Sequence, residues 1–228
     1  MIVFEDIKLR YQYDDFDVLK GANFTLIDGV NTVLADVQSG KSSICKLLVK
    51  DVAASSGQIF VDGKDVSSIT NDNLDILYLP TKPAFFESRS VLYNIEYPLK
   101  VRKRPKMERQ ELAKHVAQQL GVDFLDVKLK KLNDSDRRRV ALARGLTVRR
   151  KIVLFDDFFT DETYDIESID KVLQLFEGAT CVILTSDARK ATGNTVVLDG
   201  GLTVYQGDAD GARQIVNDLG WLTDSMRN

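Results

Sequence analysis

The stretch NTVLADVQSGKSSICKLL, residues 31–48, decides how the rest of the chain is read. Its first part is a short β-branched run, and its last part reads as a helix. Between them lies Ala35-Asp36-Val37-Gln38-Ser39-Gly40-Lys41-Ser42-Ser43. A strand that turns through Gly-Lys-Ser into a helix is the context of a phosphate-binding loop. Backbone N–H groups and a helix N-terminus present partial positive charge to phosphate oxygens. In that reading Ser39, Gly40, Lys41, Ser42 and Ser43 hold phosphate. Lys41 reaches the β/γ-phosphates, and the Ser42 hydroxyl binds Mg²⁺. Ala35 stands where the pattern G-x-x-x-x-G-K-[ST] has its first Gly. Ala tolerates positive φ poorly, which predicts a shifted or strained start to the loop.

The matching half lies more than a hundred residues on. KIVLFDD, 151–157, is a continuous apolar run ending in two acids, the mark of a buried parallel strand. A phosphate-loop protein needs a carboxylate there to hold the metal, and Asp156 is in place for it.

Working outward, IVFEDIKLRY (2–11), ANFTLI (22–27) and LDILYLP (74–80) read as strands. SGQIFVDGKDV (56–66) reads as a hairpin turning at Asp62-Gly63. Helical spacing runs from Val91 to Gly121, interrupted by the basic stretch Lys100–Lys106, and again from Asp136 to Leu146. TCVILTSD (180–187) is a second buried strand after the amphipathic helix IESIDKVLQLF (166–176). NTVVLDG and LTVYQG are strands before a last helix, DGARQIVNDLG (210–220). Buried strands alternating with helices predict an α/β fold with a parallel-sheet core.

Composition narrows the function. The 228 residues are 44% hydrophobic and 29% charged, which fits a globular chain and excludes a disordered one. A net charge of −3 demands no nucleic-acid partner. The N-terminus lacks the form of a signal peptide and no apolar run is long enough to span a membrane, so a soluble, cytoplasmic chain is expected. Two cysteines, Cys45 and Cys181, make no disulfide framework and sit in apolar runs as core residues. The one histidine, His115, disfavours His-based metal sites and Ser-His-Asp triads.

With these motifs placed, the chain resembles the ATP-binding subunits of ABC transporters. VLKGANFTLIDGVNTVLADVQSGKSSICKLL looks like the family's opening strands and Walker A loop, and KIVLFDDFF like Walker B. SGQIFVDGKDV resembles its antiparallel subdomain. LYLPTKPAFFESRSVLYNIEYPL resembles its Q-loop region and the start of its helical subdomain. LNDSDRRRVALARGL sits where the signature and its helix belong. VILTSDARKA stands at the H-loop strand, and VVLDGGLTVYQGD at the closing strands. The resemblance implies a P-loop NTPase fold of the ABC type in one domain, 1–228. The core and β subdomain are expected over about 1–85 and 150–228, the helical subdomain over about 86–149.

The resemblance also shows where this chain departs. Thr81 stands at the Q-loop Gln, Asp157 at the catalytic Glu and Ser186 at the switch His. Asp157 is one methylene short of Glu, and misplacement on the order of 1 Å can cost ~10² in rate. Asn133-Asp134-Ser135-Asp136 replaces Ser-Gly-Gly-Gln of the signature. In the family this segment closes over the γ-phosphate held by a second subunit. A like-charge pair ~5 Å apart at an effective dielectric of ~20 costs about 3 kcal/mol, which opposes closure. Asn133 and Asp136 equally fit a helix cap and a first-turn acid.

Tyr11, with Tyr13 as the alternate, is implied as the adenine-stacking aromatic. The implied cofactors are ATP and Mg²⁺, with Ser42 and Asp156 on the metal. The implied partners are an integral membrane transporter subunit and a second ATP-binding subunit, in a homo- or heterodimer, at the inner face of a membrane. Phe85 and Phe86 are candidates for a groove that receives the membrane subunit. Lys100–Lys106 reads either as a solvated connection or as a contact for anionic lipid or acidic loops. Arg137–Arg139 and Arg149–Lys151 read as exposed faces. Two other functions stay open: a pseudo-ATPase scaffold governed by nucleotide occupancy, and a soluble ABC-type protein with no membrane partner.

Overall fold

The computed structural model describes residues 1–12, 15–36, 39–70, 73–160 and 164–221. The chain forms two compact units, Met1–Tyr78 with Lys151–Asn228, and Leu79–Arg150.

The first unit contains two sheets. β1 (Ile2–Leu9), β2 (Leu19–Leu26), β4 (Ser56–Val61) and β5 (Lys64–Asp65) form an antiparallel sheet in the order β2-β1-β4-β5. The second sheet involves β3 (Val30–Ala35), β6 (Ile76–Pro80), β7 (Ile152–Asp156), β8 (Thr180–Thr185), β9 (Asn194–Asp199) and β10 (Leu202–Gly207). Its order is β10-β9-β3-β8-β7-β6. β3 pairs in parallel with β8 and β9, and β7 in parallel with β8. Every residue of β7 and β8 is buried, as strands covered on both faces must be. β10, antiparallel at the edge, alternates exposed and half-buried positions.

Helix α1 (Lys41–Leu48) follows β3 after the loop and buries Ile44, Cys45, Leu47 and Leu48 in one core with Leu154, Val182 and Val196. Cys45 and Cys181 are both buried and unbridged. Buried Asn31 of β3 serves as a polar hub. Its Oδ1 accepts from Ile27 N and Asn194 Nδ2, and its Nδ2 donates to Ile27 O at 2.7 Å. Buried polar groups are tolerated when they are satisfied in this way. β1 bulges at Glu5–Asp6, where Gly57 is required: a Cβ there would lie 2.3 Å from the Asp6 carbonyl oxygen.

The second unit is helical. α2 (Val91–Val101) is capped by Ser90, whose Oγ accepts from Tyr93 N. α3 (Lys106–Gln119) begins after Pro105, so the basic stretch Lys100–Lys106 joins two helices and is exposed throughout. α4 (Asp134–Leu146) buries Val140, Ala141, Leu142 and Ala143. Buried Asn94 of α2 ties down the chain before it, accepting from Phe86 N and donating to Phe86 O and Ser90 O. An Arg109–Glu96 pair at 2.9 Å, its carboxylate buried and its guanidinium half-buried, joins α3 to α2. α5 (Ile166–Gln174) and α6 (Ala209–Asp218) return to the first unit, capped by Asp165 and Asp208.

Candidate functional site

The loop between β3 and α1 is positioned from both ends. Ala35 ends β3 in register with Leu198, buried and without positive φ. The strain expected at Ala35 is therefore not found there, because the strand simply extends through that residue. The left-handed residue is Gly40, at φ 91°, and a Cβ there would meet Leu19 Cδ2 at 2.9 Å. Ser39 is buried, and its N and Oγ both donate to Asp36 O. Val37 and Gln38 lie outside the described residues.

Gly40 starts α1 with no side-chain cap, and the first turn holds no acidic residue. The N–H groups of a helix start need partners, so an uncapped one offers donors to an anion. Lys41 is buried, and its Nζ donates to Ala35 O at 2.7 Å and Asp36 O at 3.2 Å. Burial lowers its pKa, and the charges of Asp157, Asp36 and Asp156 oppose that shift.

Asp156 ends β7 beside this helix start. Its Oδ1 accepts from Ser42 Oγ at 3.1 Å, and its Oδ2 accepts from Tyr78 Oη at 2.7 Å. Burial, then the hydrogen bond and charge of Asp156, push the Tyr78 phenol far above its ordinary pKa, so it stays a donor. Asp157 follows at φ 44°, a left-handed value that costs a non-glycine residue energy. Its N donates to Leu184 O at 2.9 Å, which fixes it over the sheet. Burial raises its carboxyl pKa, Lys41 opposes the rise, and Asp156 adds to it.

A cleft of about 330 Å³ is lined by Tyr11, Lys41, Ser42, Ser43, Asp157 and Ser186, among others. Seven residues singled out from sequence for phosphate or base binding or for catalysis, Gly40 and Ser43 among them, thus meet on one surface. Tyr11 Oη shares a 2.9 Å hydrogen bond with Ser43 Oγ, and Lys46 Nζ lies 5.4 Å from the Tyr11 ring centroid. Tyr13 lies outside the described residues. Ser186 is exposed just after β8.

The donor set fits a hydrated Mg²⁺. Mg²⁺ takes hard oxygen ligands at about 2.0–2.1 Å and keeps several waters, using one or two protein oxygens. A hydroxyl and a carboxylate oxygen 3.1 Å apart are spaced as neighbouring positions around such an ion require. The uncapped helix start and Lys41 supply the positive side that a phosphate chain needs.

The other sequence-derived positions lie in the second unit. Thr81 is exposed at its start. Asn133 caps α4, its Oδ1 accepting from Asp136 N at 2.8 Å. The Asp136 carboxylate is ion-paired to Arg139 one turn on. Asp134 is exposed, and among the described residues it has no ion pair. Of the two acids expected to repel phosphate, Asp136 is partly neutralised by its own helix. Arg137 pairs with Glu87, and Arg137 and Arg144 both stack on half-buried Phe85. Phe86 is exposed and packs against Tyr93 and Tyr97. Sequence reasoning missed Tyr78. The available signal was a lone tyrosine in the otherwise aliphatic core of LDILYLP.

A family model described as ABC transporter matches residues 19–160. The molybdate/tungstate import ATP-binding protein WtpC of Pyrococcus horikoshii is 28% identical over 172 residues, 75% of this chain and 47% of its own length. The chain thus spans about half the length of that relative. A solved structure of a bacterial Atm1-family ABC exporter with ATP bound aligns with a TM-score of 0.82 at 22% identity. The alignment covers 100% of this chain and 42% of that one, and it shows a shared fold.

Proposed function

The chain belongs to the ABC transporter family, and from that premise we propose that it is the ATP-binding subunit of an ABC-type membrane transporter, holding Mg-ATP with weak or no hydrolysis. One observation carries the reading: Ser42, at the open start of α1, faces Asp156, at the end of β7, across 3.1 Å. Lys41 and the α1 amides would take the β/γ-phosphates. Ser42 and Asp156 would hold Mg²⁺, which supplies charge neutralisation at the phosphates. Tyr11 would stack the adenine. For that, its hydroxyl must exchange or keep its bond to Ser43 within the same cleft.

Weak turnover follows from the residues that would move protons and charge. Asp157 is a carboxylate and can accept a proton. Its side chain is one methylene short of the family's Glu, which sets the carboxylate back from the position a base would take. Ser186 carries no charge, and Thr81 is shorter than Gln. Family dimers are head-to-tail, so each composite site needs the other chain's signature segment. A homodimer would set Asp134 against phosphate at both sites. A heterodimer with a more active ATP-binding partner would confine the damage. We therefore place this chain beside such a partner and a membrane subunit, at the inner face of a membrane. The same self-satisfied α4 start favours a second reading, in which nucleotide occupancy regulates a scaffold without turnover.

The test is ATP titration of the full chain with and without Mg²⁺, alongside a steady-state hydrolysis assay. Mg²⁺-enhanced binding is expected, with turnover below ~1 s⁻¹, the low end of ordinary enzymes. Absence of binding would overturn the site. Turnover above that level would overturn the weak-hydrolysis reading.

A further inference from the structure

We propose that Tyr78 is a positioning residue for the metal side of the nucleotide site, fixing the Asp156 carboxylate so that one oxygen stays with Ser42. The inference rests on the Mg-ATP reading above and adds a residue to it. Tyr78 lies on β6, the neighbour of β7 in the sheet, and its side chain is half-buried. Its Oη donates to Asp156 Oδ2 at 2.7 Å, shorter than the Ser42 contact to Oδ1 at 3.1 Å. Asp156 is 5% exposed, so bulk water contributes little to its orientation.

The two carboxylate oxygens are therefore divided. Oδ2 takes the hydroxyl of a strand residue, and Oδ1 takes the loop hydroxyl. A buried carboxylate needs donors before any cation arrives, or it pays a desolvation penalty. Removing the Tyr78 hydroxyl would take away the shorter of the two bonds that orient the carboxylate, the one made to Oδ2. Ligating carboxylates are themselves commonly hydrogen-bonded, and loss of such an outer partner costs about 10–100-fold in metal affinity. Asp157 stands next to Asp156 and raises the need for such a clamp, because the two acids repel.

The variant is Tyr78→Phe, which keeps the ring in the sheet and removes only the hydroxyl. ATP binding is titrated against Mg²⁺ and, separately, in EDTA, for wild type, Tyr78→Phe, Asp156→Asn and the double variant. The Mg²⁺ concentration for half-maximal enhancement should rise about 10-fold in Tyr78→Phe, with binding in EDTA unchanged. Asp156→Asn should lose the Mg²⁺ response, and adding Tyr78→Phe to it should change nothing, as coupling through one carboxylate requires. An unchanged Mg²⁺ requirement in Tyr78→Phe overturns the inference. So does an equal loss of binding in EDTA, or an undiminished effect in the Asp156→Asn background, since either would indicate general packing. A wild type that binds ATP with no Mg²⁺ response overturns the underlying reading itself.

Discussion

Helices α1 and α4 start in opposite ways. α1 begins at Gly40 with no capping side chain and no acid in its first turn, and buried Lys41 stands beside its open amides. α4 begins at Asn133, whose side chain already occupies the Asp136 N–H, and two acids follow in the first turn. Both helices carry the same dipole. One start leaves its positive end to be satisfied from outside, and the other satisfies it from within. Local stability and anion binding compete for the same N–H groups. A family in which both starts meet phosphate would need both to be poor caps, and in this chain only one is.

The sharpest way to break the contrast is at its cation. Hydrogen bonds to charged groups contribute ~1.5–3 kcal/mol, so Lys41→Ala should weaken ATP binding roughly 10- to 100-fold by calorimetry or fluorescent-nucleotide titration. Equal affinity in wild type and variant would show that α1 is no anion site. Next comes conversion of α4 to an open start. Replacing Asn133-Asp134-Ser135-Asp136 by Ser-Gly-Gly-Gln should create or strengthen ATP-dependent dimerisation, read by analytical ultracentrifugation. The same change should cost about 2 kcal/mol in urea unfolding, from two glycines in the first turn and lost acid–dipole interactions. A variant that is no less stable would deny the trade-off.

The cap can be isolated. Asn133→Ala should destabilise by about 1 kcal/mol in the same unfolding measurement, with ATP binding unchanged. The smallest effect tests the first unit. Burial raises the folded pKa of Asp157 above its unfolded value. The folded state then binds more protons between those two values, and stability falls as pH rises through that window. The penalty is fully present above the folded pKa and absent below the unfolded one, the ordinary value of a free aspartate. Asp157→Asn should therefore unfold at higher urea than wild type at pH 7. The gap should close as pH drops through the window, and a gap that widens instead would reverse the assigned sign.

The sequence displayed what is local. Gly40-Lys41-Ser42 between an apolar strand and a helix, and Asp156 after four apolar residues, are patterns within short windows. The Asn133 cap is likewise a three-residue spacing, and the structure shows it as read. The contacts that decide the finer chemistry were not legible. Tyr78 and Asp156 are 78 residues apart and meet because β6 neighbours β7, which no local periodicity encodes. The Asp136–Arg139 pair softens the repulsion that the family resemblance implied for this segment, and only side-chain direction along α4 reveals it. Ala35 misled for the opposite reason. A pattern position normally held by Gly suggested strain, but β3 runs through it in register with Leu198.

The clasp of Lys41 on Ala35 O and Asp36 O has a thermodynamic consequence. Two of the three ammonium N–H groups already have carbonyl partners, so a phosphate oxygen that takes either of them displaces a bond the loop had made. The heat released on binding will then report a difference between partners and will be modest for so highly charged a guest. Exchanging those carbonyls for phosphate oxygens changes the partners of the ammonium and leaves its number of bonds nearly the same.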